Sequence, residues 1–336
     1  MHNNYKKILV TGGAGCIGMQ VCAELTKRGI SVNLFDLPEQ VSRVERFILP
    51  GTIIHYGSIL DCSSLRDAMA GCDAVIHLAA YLGVRRTETN RLRCIEINVL
   101  GTKNVLDCAV QHRIKKIVFA SSSEVYGEPI KNPVTEKSIT QGKSVYAITK
   151  LAGEELCRAY AQRYPDLVYT ILRYFNTYGP FQIAQFVIPK FIRNVMENKP
   201  PIIYGDGKQK RSYCYSSDTA WATVEALLNF KTDGEILNIG NSSSPVTVAD
   251  LAKIIVRNCG KNGEIVPRKQ ERFTNTDRLL EREVFNRFCD TKKAREMLGF
   301  VPKIPLEEGI EKILEYGTIS PKWKTTDLDY TINEWL

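Results

Sequence analysis

The stretch "VTGGAGCIG", Val10 to Gly18, limits what this chain can fold into more than any other. It follows the apolar run "KKILV" and leads into "MQVCAELTKRG", so Gly12, Gly13, Gly15 and Gly18 lie between a strand and a helix. Glycines there let phosphates approach backbone N–H groups and the positive end of a helix dipole. A plain tight turn would also use glycine. The following strand, "SVNLFD", ends in Asp36, eighteen residues beyond Gly18. An acid at that place accepts from ribose hydroxyls and repels a 2′-phosphate, which points to a dinucleotide, NAD rather than NADP. The alternative for Asp36 is a strand-end surface carboxylate.

The alternation continues. "GTIIHYGSI", "DAVIHLAA", "KKIVFASSS" and "VYTILRYFN" read as strands, and "CSSLRDAMAG", "CIEINVLGTKNVLDCAVQH" and "YAITKLAGEELCRAYAQRY" as helices between them. Short apolar runs alternating with helical spacing predict βαβ units, hence an α/β doubly wound parallel sheet. After Pro180 the texture changes to short elements rich in Pro, Gly and basic residues, with later helices at "TVADLAKIIVRNCG" and "PLEEGIEKILEYG". Residues 1–180 are therefore read as the dinucleotide-binding domain with the catalytic residues. Residues 181–336 are read mainly as a smaller substrate lobe, partly interwoven with the sheet through "YCYSSDTAWATVEALLNF" and "EILNIGN".

Composition narrows the function classes. The net charge of +8 is spread along the chain with only short clusters, which suits an anionic small ligand and argues against nucleic acid. The ten cysteines are scattered without a CxxC pair or zinc-ligand spacing, so neither a metal nor a disulfide framework is expected. No signal-peptide segment and no bilayer-length apolar run is apparent, so a cytoplasmic protein without membrane contact is expected.

The chemistry centres on "SSSEVYG" and "VYAITK". Tyr146 and Lys150 are four residues apart, one helical turn above each other, and the hydroxyl-rich strand end Ser121 to Ser123 precedes them. Both would sit at the carboxyl edge of the sheet, where open α/β folds bind ligands. A tyrosine beside an ammonium and a nicotinamide cation ionises more easily, and so can take a proton from a sugar or alcohol hydroxyl as hydride leaves. Taken alone, such a pair is more often a surface contact; the glycine loop upstream reverses that weighting.

Together, "TGGAGCIG", "HLAA", "SSSEVYG", "YAITK", "RYFNTYGP", "GDGKQKR" and "LNIGN" resemble, in order and spacing, the extended short-chain dehydrogenase/reductase family, specifically its NAD-dependent nucleotide-sugar epimerases and dehydratases. The resemblance covers nearly the whole chain. It implies a Rossmann sheet, tightly held NAD, and a nucleoside-diphosphate sugar, preferably UDP-linked. It implies Tyr146 as the catalytic base, Lys150 as the ribose ligand that lowers the tyrosine pKa, and Ser122 as the hydroxyl bound to the sugar oxygen being oxidised. Gly12, Gly15, Cys16, Ile17, Gly18, Asp36, Ser58, Ile59, Leu78, Ala79, Ala80, Lys150 and Tyr174 are the cofactor positions it implies. For the substrate it implies Ser123, Asn176, Arg211 and Arg287, the last three toward the diphosphate. Asn98 falls where the active site is often supported, and a structural role for Asn98 or Arg287 stays open. A homodimer through two helices, "CIEINVLGTKNVLDCAVQH" and "YAITKLAGEELCRAYAQRY", is implied as well, although their apolar faces equally suit a core.

Glu124 bears on the reaction. Simple 4-epimerases resembling this chain usually carry a small or hydroxyl residue there, whereas a carboxylate resembles the dehydratases and uronate decarboxylases. Once C4 is a ketone, the C5 hydrogen is acidic and a positioned carboxylate can remove it. Many hexose 4,6-dehydratases also have an Asp before that Glu; here it is Ser123. The sequence therefore favours dehydratase-like chemistry at C5 and C6 over 4-epimerisation, with glucuronate decarboxylation third. A simple ion pair of Glu124 with a neighbouring base remains the structural alternative. So does a solvated face for the arginines Arg85, Arg86, Arg91 and Arg93. A non-catalytic dinucleotide sensor ranks below an enzyme, because Ser122, Tyr146 and Lys150 are all present.

Overall fold

The computed structural model describes residues 4–183, 186–243, 245–270 and 284–317, without the side chains of residues 84 and 85. Its first half runs β1 (Lys7–Thr11), α1 (Cys16–Lys27), β2 (Ser31–Asp36), α2 (Pro38–Val44), β3 (Ile53–Tyr56), α3 (Cys62–Met69), β4 (Ala74–His77), α4 (Val84–Thr89), α5 (Arg91–Ile95), α6 (Gly101–Gln111), β5 (Lys116–Ser122), α7 (Val145–Arg163) and β6 (Val168–Tyr174). It continues with β7 (Thr177–Tyr178), α8 (Val187–Met196), β8 (Ile202–Tyr204), β9 (Lys210–Arg211), β10 (Cys214–Tyr215), α9 (Ser216–Leu228), β11 (Ile236–Ile239), β12 (Val246–Thr247), α10 (Val248–Asn258), β13 (Arg268–Gln270), β14 (Asn286–Arg287), α11 (Lys292–Leu298) and α12 (Leu306–Tyr316).

Seven strands form one parallel sheet in the order β11-β6-β5-β4-β1-β2-β3. The chain builds outward from β1 to β3, then crosses back to β4 and builds the other way. The switch between β1 and β4 opens a crevice at the carboxyl edge, the place such sheets use for ligands. Ile8, Leu9 and Val10 on β1 are wholly buried, because helices cover both faces. One core, with Val21, Leu25, Ala222 and Leu227, packs α1 and α9 on one face; the other, with Leu65, Val105, Leu106 and Cys157, packs α3, α6 and α7 on the opposite face.

Beyond residue 180 a third core forms around Ile188, Phe191, Leu251, Ile255 and Ile310 of α8, α10 and α12. The same stretch also returns β11 to the main sheet beside β6. Among the described residues, no helix is long and apolar enough to cross a membrane, and no three His, Cys, Asp or Glu side chains cluster as a metal site.

The long helix expected after Cys94 is interrupted. A π turn at Glu96–Leu100 joins α5 to α6, and there the Asn98 amide bonds both backbone groups of Tyr81 (Oδ1 accepts at 2.7 Å, Nδ2 donates at 3.0 Å). The extra residue per turn is invisible to a pattern of apolar spacing. By contrast α7 begins as read: Ser144 caps it, accepting from Ala147 N–H at 3.1 Å.

Candidate active site and cofactor cradle

The glycine loop is shaped by contact. Gly12 sits at φ +71°, and a Cβ there would lie 2.6 Å from the Ala79 backbone nitrogen; on Gly18 it would lie 2.2 Å from the Gly12 carbonyl oxygen. The loop thus stacks directly on the strand end carrying Leu78 and Ala79 and on the first turn of α1. Gly15 is the N-cap of α1, no side chain caps the helix, and its first turn holds no acid. Its N–H groups at Cys16, Ile17 and Gly18 are therefore available to an anion. Asp36 closes the cradle, Oδ2 accepting from Ala14 N–H at 3.0 Å and Oδ1 from Leu37 N–H at 2.8 Å. Burial pushes its carboxyl up to about 6 against those two bonds.

The other cofactor positions are arranged around this cradle. Ser58 Oγ accepts from Leu60 N–H at 3.2 Å, closing the turn after β3, and the buried Ile59 side chain leaves no room for a Cβ on Gly101. Leu78 N–H donates to Thr11 O at 3.0 Å, Ala79 N–H to Thr11 Oγ1 at 3.4 Å, and Ala80 is half-buried. The Cys16 thiol is pushed up to about 12 by burial, with the nearby Ser216 hydroxyl acting the other way. Tyr174 turns its hydroxyl to Thr223 of α9 at 2.8 Å, so its side chain serves the core.

The candidate catalytic residues come together across β5 and α7. Tyr146 is half-buried and lies beside Ser122 and Glu124. Burial raises its pKa first, the Glu124 charge adds to that, and the neighbouring Ser122 hydroxyl opposes both. Lys150 is buried, its ammonium donating to Ala120 O at 2.8 Å and standing 5.7 Å from the Tyr146 ring centroid. Burial pulls it down to about 8 against the opposing charges of Cys94, Cys157 and Glu154. The expected lowering of the tyrosine pKa by Lys150 is outweighed here by burial, because the ammonium is turned to the strand carbonyl.

Glu124 lies on a one-turn 3-10 helix, Ser123–Tyr126, whose N-cap Ser122 accepts from Glu124 N–H at 3.2 Å. Its carboxylate pairs with Arg287, which is 2% exposed and also donates to Gly127 O at 3.1 Å, while the buried Arg287 Nε has no partner. Ser123 is buried. Asn176, at φ +42°, donates to Ser212 O at 3.0 Å, and Arg211 donates to the carbonyls of Lys210, Phe285 and Val284. β9 and β14 pair Arg211 directly with Arg287. Around α4 and α5, Arg86 stacks on the Tyr81 ring at 4.0 Å, Arg91 pairs with Glu88 and Arg93 with Glu96; the side chain of Arg85 lies outside the described residues.

The sequence reading missed two groups near this site. His77 on β4 bridges Thr11 at 2.7 Å and Thr102 at 3.0 Å, and burial pulls it down to about 3, so it stays neutral under the cradle. Glu154 and Arg173 form a buried pair beneath Tyr146. The two members of the pair left signals: Glu154 is eight residues beyond Tyr146 on the same helix face, and Arg173 interrupts an apolar strand.

A model of the NAD dependent epimerase/dehydratase family matches residues 8–240. The chain belongs to this family. Like the other epimerase/dehydratase proteins it is an NAD-dependent enzyme. The UDP-N-acetyl-alpha-D-glucosaminuronate decarboxylase of Bacillus cytotoxicus is 36% identical over 321 residues, 93% of this chain and 97% of its own. A putative UDP-glucose 4-epimerase of Methanocaldococcus jannaschii is 37% identical over 92% of this chain and 97% of its own. The solved structure of UDP-glucuronic acid 4-epimerase from Bacillus cereus, in complex with UDP-glucuronic acid and NAD, aligns with a TM-score of 0.82 at 29% identity, over 92% of this chain and 98% of that one. The cradle fits the family cofactor on its own terms, since only glycine at 12 and 18 lets the loop pack this closely on backbone beside an uncapped helix N-terminus, and Asp36 borders the same loop through Ala14 N–H.

Proposed function

We propose that this enzyme takes a UDP-linked uronic acid and removes its carboxylate through a 4-keto intermediate. NAD, when bound, supplies the hydride acceptor at C4 and the donor that restores the hydroxyl. Tyr146 takes the C4 hydroxyl proton while Ser122 holds the same oxygen. The C4 ketone turns the substrate into a β-keto acid: the C5–C6 bond breaks, CO2 leaves, and the electron pair passes into a C4–C5 enolate. Tyr146, now protonated, donates a hydrogen bond to that enolate oxygen. C5 then takes up a proton on the side that Glu124 borders, and Tyr146 returns its proton to the C4 oxygen. Asn176 and Arg211 hold the diphosphate.

Arg287 carries this reading. A buried guanidinium beside Glu124, with Nε unpartnered, offers a cation to a C6 carboxylate and neutralises the acid next to it. The Bacillus cytotoxicus decarboxylase and the solved UDP-glucuronic acid complex support a uronic acid substrate. Glu124 as a C5 base favours a second reading, 4,6-dehydration. That reaction also needs an acid to protonate the departing C6 hydroxyl, and the adjacent residue is the buried Ser123. The enzyme is read as a cytoplasmic homodimer, in keeping with its ten free cysteines and with the exposed Leu92, Ile95, Leu100 and Ile148 along α5, the π turn and α7.

The test is incubation with UDP-glucuronic acid, its N-acetyl analogue, UDP-glucose and dTDP-glucose in deuterated water, followed by NMR. A pentose product with deuterium at C5 is expected. Loss of the C6 hydroxyl would establish dehydration instead, inversion at C4 without deuterium would establish epimerisation, and no product from any sugar nucleotide would overturn the substrate class.

A further inference from the structure

Ser121, Arg173 and Asn238 are register partners across β5, β6 and β11, so their side chains leave the sheet in one row on one face. Over that row lies α7, whose Tyr146, Lys150 and Glu154 follow each other at four-residue steps on one helix face. Each step meets β5: Tyr146 lies beside Ser122, Lys150 Nζ donates to Ala120 O at 2.8 Å, and Glu154 Oε1 accepts from Ser121 Oγ at 2.5 Å. The same carboxylate accepts from Arg173 Nε at 2.8 Å and from Nη2 at 2.6 Å.

The row continues to the other catalytic segment. Arg173 Nη1 donates to the Tyr126 hydroxyl at 2.9 Å, which donates to Asn238 Oδ1 at 2.7 Å. Asn238 N–H in turn donates to Glu136 Oε1 at 2.8 Å and its Nδ2 to Val134 O at 3.1 Å. Tyr126 ends the 3-10 turn that carries Glu124. Glu154 and Arg173 are 1% and 3% exposed and are bonded to the buried Ser121 and Tyr126, so the pair belongs to the interior. A buried ion pair is often matched in stability by apolar side chains of similar volume, whereas a two-pronged guanidinium–carboxylate contact fixes relative position. Position, rather than stability, is what this pair supplies.

We propose that Glu154 and Arg173 are positioning residues, one buried pair that sets α7 and the Glu124 turn at fixed heights on the sheet so that Tyr146 meets Ser122. This rests on the reading of Tyr146 as the base. The discriminating variant is Glu154→Leu with Arg173→Met, which exchanges the pair for apolar side chains. Its thermal midpoint is expected to stay near wild type. In NAD-loaded enzyme given UDP-glucuronic acid, single-turnover cofactor reduction is expected to fall about 100-fold with KM unchanged, the scale of effect of a small misplacement at the reacting atoms.

A second readout needs no substrate. The alkaline absorbance titration of Tyr146, taken as the difference from the matching Tyr146→Phe background, is expected to move to higher pH in the double variant, because a Ser122 hydroxyl set further from the phenol favours the phenolate less. Glu124, Cys94 and Lys150 still surround Tyr146 in that variant, and Arg287 still pairs with Glu124. A stable double variant with the wild-type rate and the wild-type Tyr146 midpoint overturns the proposal. Should it fold poorly, Glu154→Gln, which keeps an acceptor for Ser121, carries the same readouts, and wild-type values in both again overturn it. If the wild-type protein reduces no cofactor with any sugar nucleotide, the proposed function fails, and the titration decides the positioning role.

Discussion

Tyr146 shows how environment sets a residue's chemistry. Burial and Glu124 hold its phenol protonated in the ligand-free site, and Lys150 is turned to Ala120 O. Oxidised nicotinamide brings a positive charge, so in the proposed mechanism Tyr146 becomes competent as a base when cofactor and substrate are both in place. Tyr146→Phe is expected to lower turnover about a thousandfold while NAD affinity, read by calorimetry, is unchanged. Asp36 gives a prediction in pH. Its carboxyl is raised from 3.8 to about 6 in the folded chain, so the folded state holds the proton more tightly and stability falls as pH rises through that window. NAD affinity runs the other way, weakening as pH drops below about 6 and Asp36 loses the charge that accepts from ribose hydroxyls. Thermal midpoints and NAD titrations across this range check both signs; parallel trends would refute the assignment.

At the scale of elements, β5 carries chemistry at one end and a staple at the other. Lys116, fully buried at its start, pairs with Asp233 at 2.5 Å and donates to Asn229 O and Thr232 Oγ1, each at 3.0 Å. These bonds tie the strand to the segment after α9, at the edge of the sheet away from the crevice. Lys116→Met removes all three contacts and leaves Asp233 without this partner, and a loss of about 2 kcal/mol in urea unfolding is expected, with kcat unchanged. The elements were largely legible because their apolar runs and caps are local: "KKIVFASSS" became β5, and Ser144 capped α7. The π turn at Asn98 was not legible, since it depends on the backbone of Tyr81, distant in sequence.

For the whole molecule, surface composition frames the assembly. Leu92, Leu100 and Ile148 are at least half exposed on neighbouring helices, a row of apolar side chains with no core of its own. Leu92→Glu with Ile148→Glu is expected to convert the proposed dimer to monomers in sedimentation velocity, with the fold retained by circular dichroism; an unchanged sedimentation coefficient would refute that interface. The sequence by itself determined the parallel sheet, the NAD cradle and the Tyr146–Lys150 spacing, because glycine conformation, helix periodicity and strand alternation act over a few residues. Only the tertiary structure decided that Arg287 meets Glu124, 163 positions earlier, and that Glu154 of α7 meets Arg173 of β6. Those pairings arise from strand order and register, and burial makes charges seek partners wherever the fold brings them, however far apart they stand in the chain.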